Sequence, residues 1–222
     1  MSINNPYRGV AELPSIIPVF PLASVLLLPQ TDLPLNIFEP RYIAMVDEAL
    51  RTTRLIGMIQ PVPDEPADVH VPQLQKIGCL GRITQFSETG DGRYSICLTG
   101  VARYRIDHEE DTAAPFRVCR VSFSDYAHDL SEQHCGVQPR QREILRIIEL
   151  FEKSRGIKVD RRAVQGVPEV ALIDALSMKL QFSPRATQEL LEARDAFARA
   201  EMLLAIAEME FSQLSGNRRN LQ

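Results

Sequence analysis

The sequence predicts an α+β protein: a compact, barrel-like β domain followed by a C-terminal helical bundle. Three observations carry this. The first 125 or so residues break into short apolar runs punctuated by Pro, Gly and Asp. From about residue 139 the apolar period lengthens to that of a helix. The chain of 222 residues, 45% hydrophobic and 24% charged, is long enough for a sizeable core and too apolar for disorder. The expected organisation is a β domain with one short helix over 1–125, a linker over 126–138, and a helical bundle over 139–222 ending in one long helix.

Taken in order, Ile16–Phe20 and Ser24–Leu28 read as strands separated by Pro21, and Leu33–Phe38 follows a Pro-Gln-Thr-Asp turn. A short helix starts at Pro40, where a missing N–H costs nothing, with Ile43, Val46 and Leu50 on one face. Arg54–Gln60 is a further strand, and the proline-rich, acidic stretch 61–72 is a loop. Strands resume at Ile77–Phe86, Arg93–Thr99, Val101–Asp107 and Phe116–Tyr126. Gly90-Asp91-Gly92 marks a hairpin, because Asp-Gly readily supplies positive φ. Tyr94, Ile96 and Leu98 alternate with Arg93, Ser95, Cys97 and Thr99, one face inward and one outward. Gly78, Gly81 and Gly100 sit where a small sheet bends or closes.

In the second part, Ile144, Ile147, Ile148 and Phe151 form one helical stripe ended by Gly156. Pro168 opens a second helix with Ile173, Leu176 and Leu180. Ser183-Pro184 opens a third, expected to run unbroken to about Ser212. Its expected core stripe is Leu190, Phe197, Leu204 and Phe211, with Ala193, Ala200, Ala207 and Leu214 allowing close approach.

Charge and cysteine content narrow the function classes. The chain carries 25 Lys+Arg and 29 Asp+Glu, a net charge of −4. Residues 1–138 hold 11 basic and 17 acidic residues, so the β half is the acidic half, which counts against a phosphate-tracking surface. The apolar run Ile16–Leu28 is too short to span a bilayer and contains Pro18 and Pro21. No basic leader precedes it, so no membrane and a cytoplasmic setting are expected. Cys79, Cys97, Cys119 and Cys135 form no C-x-x-C pair, so neither a zinc ribbon nor a disulfide scaffold is indicated. His134-Cys135 with His128 lacks a fourth ligand, and the acidic run Asp107, Glu109, Glu110 and Asp111 lacks EF-hand spacing. No metal and no cofactor are expected.

Certain segments resemble a known family. These are Ile17-Pro-Val-Phe-Pro-Leu22, then Leu33-Pro-Leu-Asn-Ile-Phe-Glu-Pro-Arg-Tyr42, the strands Ile77-Gly-Cys-Leu-Gly-Arg-Ile83 and Leu98-Thr-Gly-Val-Ala-Arg-Tyr104, and the helical Leu190-Leu191-Glu192. Together they resemble the N-terminal substrate-binding domain of the ATP-dependent Lon proteases, most of all its free-standing bacterial relatives, over roughly residues 14–212. The resemblance implies a PUA-like β pseudo-barrel followed by a helical bundle. It also implies a non-catalytic module that binds unfolded or extended polypeptide in an adaptor or chaperone-like role, with a protease or chaperone as a further partner. Full Lon proteases also carry an ATPase and a serine–lysine peptidase. Here the only lysines are Lys76, Lys153, Lys158 and Lys179, none after a glycine, so no Gly-Lys-[Ser/Thr] phosphate loop exists, and no Gly-x-Ser-x-Gly elbow either.

The candidate peptide-binding residues are Leu26, Leu27, Leu28, Phe38, Glu39, Arg41 and Tyr42; no catalytic residue is assigned. Three leucines in a row put at least one outward if the strand is half exposed, and inward if both its faces are covered. In Phe38-Glu39-Pro40-Arg41-Tyr42, one reading puts Arg41 and Tyr42 at the mouth of a polypeptide groove. The other has Glu39 capping the helix, Arg41 paired locally, and Phe38 and Tyr42 packing the barrel. The alternative function is RNA or small-ligand binding by the barrel, through Arg82, Arg93, Arg103, Arg105, Arg117 and Arg120. The acidic balance and the absence of Trp disfavour nucleic acid and point instead to arginines paired with nearby acids.

Overall fold

The computed structural model describes residues 7–63, 72–131 and 141–219. Six strands and six helices follow in the order β1 (Ile16–Pro21), β2 (Asp32–Ile37), α1 (Pro40–Arg51), β3 (Leu55–Ile59), β4 (Ile77–Glu88), β5 (Tyr94–Glu109), β6 (Arg117–Ser122), α2 (Gln141–Arg155), α3 (Arg161–Val164), α4 (Glu169–Lys179), α5 (Pro184–Glu192) and α6 (Ala196–Arg219). A 3-10 segment, Ser124–Leu130, follows β6. The chain forms two compact units. One contains the described residues through Ser131 together with Gln181–Leu191; the other contains those from Gln141 to Leu180 and from Glu192 onward.

The β unit is a ring-like sheet rather than a regular barrel. Its strand order is β2-β5-β4-β3-β1-β6, and β5 also pairs with β6. β1 runs parallel to β3, and the other pairs are antiparallel. The two strands expected at Arg93–Thr99 and Val101–Asp107 are one strand, β5, running through Gly100. Its length closes the ring: one side of β5 pairs first with β2, along Tyr94–Thr99, and then with β6, along Arg105–Glu109. Gly100 is required at the change-over, because a Cβ there would collide with the Leu28 carbonyl. The expected hairpin joins β4 to β5, with Gly90 and Gly92 both at φ +78°.

Inside the ring, Ile17, Val19, Leu55, Leu80, Ala102, Tyr104, Cys119 and Val121 form one buried cluster. Tyr104 is fully buried and donates its hydroxyl to the Met58 carbonyl at 3.1 Å. Gly57 makes room for it, since a Cβ there would lie 2.6 Å from the phenol oxygen. Burial pushes the Tyr104 hydroxyl well above its ordinary pKa, so it remains a neutral donor.

Two sequence expectations are corrected here. Ser24–Leu28 is not a strand; it is a connection that leads into a turn where the Thr31 hydroxyl bonds the Leu28 carbonyl at 2.7 Å. The long helix expected from Pro184 is two helices, interrupted at 193–195. Asp195 restarts the chain as a cap, its carboxylate accepting from the Ala198 N–H at 2.8 Å.

α5 docks on the β unit. Buried Gln188 donates to the Ile77 carbonyl at 3.0 Å and accepts from Gln60 at 3.0 Å, and the Leu191 carbonyl accepts from Arg103 at 3.1 Å. In the other unit, α2 buries Ile144, Ile147, Ile148, Leu150 and Phe151, and α6 buries Ala200, Leu203 and Ala207. Of the stripe expected at Ala193, Ala200, Ala207 and Leu214, the three alanines are buried, and the Leu214 side chain lies outside the described residues. The large-residue stripe is not buried throughout: Phe197 and Leu204 are half-buried and Phe211 is exposed, while Leu203, one place earlier than Leu204, fills the core. Asp174 of α4 and Arg199 of α6 pair within this unit at 2.6 Å.

Candidate functional site

The Phe38–Tyr42 motif joins β2 to α1. β2 ends at Ile37, which is buried opposite Tyr94 of β5. The next residue, Phe38, leaves the sheet and is 64% exposed, more than any other large hydrophobic residue described. Glu39 takes the N-cap position of α1 with Pro40 behind it, but its carboxylate makes no capping bond. It accepts instead from the Arg41 guanidinium at 2.8 Å, an exposed pair of small energetic weight. Tyr42 turns inward. Its ring lies 4.2 Å from that of Phe20 and under the Arg41 guanidinium at 4.5 Å. Burial raises its hydroxyl pKa, and Arg41 opposes that rise. Within the motif Phe38 is thus the exposed aromatic, while Tyr42 packs inward.

The three leucines are not offered. Leu26, Leu27 and Leu28 are 4%, 1% and 0% exposed. The Leu27 side chain packs at Gly81 of β4, and the Leu28 carbonyl packs at Gly100 of β5. A connection carrying three leucines is covered on all sides because the two glycines open space for it.

The same end of the sheet carries two aromatics that the sequence reading did not place among the candidate site residues. Phe86 of β4 is 44% exposed and stacks edge-on against Tyr94, ring centroids 4.9 Å apart. The Tyr94 hydroxyl donates to Asp47 of α1 at 3.0 Å, and that bond raises its pKa. A register shift between Ile83 and Gln85 puts Phe86 opposite Ile96, on the same face as Tyr94 and Ile37. The signal that could have found them is hairpin arithmetic: a turn at 89–92 makes residues 86–88 neighbours of 94–96.

The arginines weighed for RNA binding are engaged. Arg93 pairs with Asp91, Arg103 with Asp129, Arg105 with Asp125, Arg117 with Glu109 and Arg120 with Glu110, while Arg82 stacks over Tyr7. Arg103 is buried, so it is not part of any surface. Cys79, Cys97 and Cys119 are buried thiols. Among the described residues no group of three or more His, Cys, Asp or Glu converges as a metal site, and His134 and Cys135 lie outside those residues. No described helix is long and apolar enough to cross a membrane.

Comparisons with known proteins fit this architecture. The chain is 27% identical over 201 residues to Lon protease 2 of Sorangium cellulosum, covering 86% of this chain and 24% of that protein. It is 30% identical over 95 residues to a Lon protease of Desulfosudis oleivorans, covering 42% of this chain and 12% of that one. The chain thus spans about a quarter, or less, of the length of these relatives. Among solved structures it resembles a Lon N-terminal domain protein from Xanthomonas campestris, with a TM-score of 0.60, 26% identity and coverage of 86% of this chain and 97% of that one. The fold is also that of the N-terminal domain of a Mycobacterium avium complex Lon protease, with a TM-score of 0.58 at 15% identity, covering 87% of this chain and 98% of that one. Residues 16–208 match one family across both compact units, and the chain belongs to it: the ATP-dependent protease La (LON) substrate-binding domain family.

Proposed function

We propose that this chain is a non-catalytic, cytoplasmic module that binds unfolded or extended polypeptide, in an adaptor or chaperone-like role. The observation that carries this reading is the family match over residues 16–208 to a substrate-binding domain. Local geometry supports it: Phe38 and Phe86 stand exposed at one end of the sheet, with Tyr94 between β2 and β4. An unfolded client offers apolar side chains and unpaired main-chain groups, and exposed aromatics beside a strand end are a receptor for both. The sequence supplies neither a Gly-Lys-[Ser/Thr] loop nor a Gly-x-Ser-x-Gly elbow, so hydrolysis of ATP and of peptide bonds is assigned to no residue here.

The test is fluorescence anisotropy with a labelled, permanently unfolded polypeptide, beside a single-stranded RNA of similar length. The expected result is polypeptide binding weakened about tenfold or more by Phe38→Ser or Phe86→Ser, in variants that melt like the parent. Tighter binding to RNA with a steep salt dependence would overturn this reading in favour of a nucleic-acid function.

A further inference from the structure

β2 differs from every other strand of the sheet. β1, β3, β4, β5 and β6 each have neighbours on both sides, whereas β2 pairs with β5 alone, so among the described residues one side of it is unpaired along its whole length. The direction of its main-chain groups follows from the ladder. The Gly100 N–H bonds the Thr31 carbonyl at 2.8 Å, and antiparallel alternation then aims the groups of Leu33, Leu35 and Ile37 at β5. Those of Asp32, Pro34 and Asn36 aim at the open side. Pro34 fits this phase, because a residue without an N–H is tolerated where none is owed to the ladder.

The open side has a defined side-chain pattern. Leu33, Leu35 and Ile37 share a face with Leu98, Ile96 and Tyr94, while Asp32, Pro34 and Asn36 are exposed on the other. Leu33 and Leu35 are only half-buried, so a neighbouring strand would cover them. The charge around the site is negative. Asp32 and Asp47 accept from the neutral hydroxyls of Thr99 and Tyr94, and Glu88 lies opposite Tyr94, whereas Arg41 and Arg93 are already paired with Glu39 and Asp91. The outer half of β4 is also unpaired by β3, but the register shift at Ile83/Gln85 distorts that edge.

We infer that an extended polypeptide binds by adding to the open side of β2 as a further strand, its alternate side chains apolar and in line with Leu33, Leu35 and Ile37, and its net charge positive. This rests on the polypeptide-binding reading above and gives that reading its mode and its client chemistry. The hydrogen bonds come from the main chains of Asp32, Pro34 and Asn36, the apolar contact comes from Leu33 and Leu35, and the acidic surroundings favour a basic client over a second copy of this net-negative chain.

The experiment uses the full chain and a labelled nine-residue peptide alternating valine with lysine and threonine. Two further versions are N-methylated, one at every valine and the other at every polar position. Only one of these sets of N–H groups faces β2 in an added strand. The expected result is that the parent peptide binds, one methylated version binds more than about tenfold more weakly, and the other stays within about twofold. Asn36→Pro, which removes an outward N–H, is expected to weaken the parent peptide. Pro34→Thr, which supplies one, is expected to tighten it about fivefold. Equal behaviour of the two methylated versions overturns strand addition while leaving polypeptide binding intact. Discrimination between them that both β2 variants leave unchanged moves the site to another edge and overturns the assignment to β2. A dimer in sedimentation that Asn36→Pro dissolves makes a second copy the occupant and overturns the client. Failure of both the parent peptide and the unfolded polypeptide to bind removes the polypeptide-binding reading itself.

Discussion

The guanidinium of Arg103 in β5 and the carboxylate of Asp129 in the 3-10 segment after β6 meet fork to fork, at 2.7 and 2.9 Å, with the two side chains only 2% and 6% exposed. The same carboxylate accepts from the Arg103 main-chain N–H at 2.9 Å, and the Tyr126 ring covers the guanidinium at 4.2 Å. Burial alone would weaken the arginine's hold on its proton, but Asp129 outweighs it and keeps the group charged.

Breaking this pair from one side strands a buried charge. Asp129→Ala is expected to cost about 3–5 kcal/mol, and replacing both partners with apolar residues is expected to cost much less. Urea denaturation of the two variants checks this. Equal losses would show that the pair acts only through its packing.

In the helical unit, the expensive truncation is at Leu203. It is fully buried on α6 between Ala200 and Ala207, so Leu203→Ala is expected to lose about 2–5 kcal/mol. Phe211→Ser, at an exposed position on the same helix, should stay within about 0.5 kcal/mol. Thermal melts of the two variants are the measurement, and comparable losses would place Phe211 in a core.

Asp195 makes the start of α6 sensitive to acid. Burial raises its pKa, but the Ala198 N–H and Arg194 outweigh that and hold the carboxyl below the usual carboxylate range. A group lowered on folding contributes its stability above its unfolded pKa, roughly 3.9, and loses it as pH falls through the folded value. Asp195→Ala is expected to cost about 1 kcal/mol at neutral pH. Asp195→Asn is expected to keep most of the cap and to flatten the decline in stability below about pH 4, read from denaturation midpoints across pH.

The thiols of the β unit should be silent in the native protein. Cys79, Cys97 and Cys119 are buried, and burial pushes the Cys119 thiol up to about 11, with Glu109 adding to the rise. Iodoacetamide at pH 8 should leave all three unmodified until denaturant is added, as read by mass spectrometry of peptides. Rapid native labelling of Cys119 would show that the ring opens.

Much of the fold was legible from neighbours along the chain. The inward Ile96 and Leu98, the Gly90-Asp91-Gly92 turn, Pro40 at the first turn of α1 and the Ile144–Phe151 stripe are all local signals, and each formed where local sequence placed it, whereas Cys97, expected on the outward face, is buried. Within the Phe38–Tyr42 motif the sequence did not separate the exposed aromatic from the buried one, because both are aromatic residues beside a helix start. The structure separates them through Phe20, which takes the Tyr42 ring and leaves Phe38 in solvent.

By itself, then, the sequence determined most element types, the hairpin and the acidic balance, since these depend on composition and on spacings of two to four residues, and its motif segments carried the family resemblance. Tertiary structure alone decided that Leu26–Leu28 are covered, that Arg103 lies inside rather than on a basic face, and that Phe86 joins Tyr94. It also decided that, among the described residues, β2 keeps one side open. Each of these depends on a partner far away in sequence: Gly81 and Gly100 for the leucines, Asp129 for Arg103, and the register of β4 on β5 for Phe86. Periodicity reports which face of an element is apolar, but not what the folded chain brings against it.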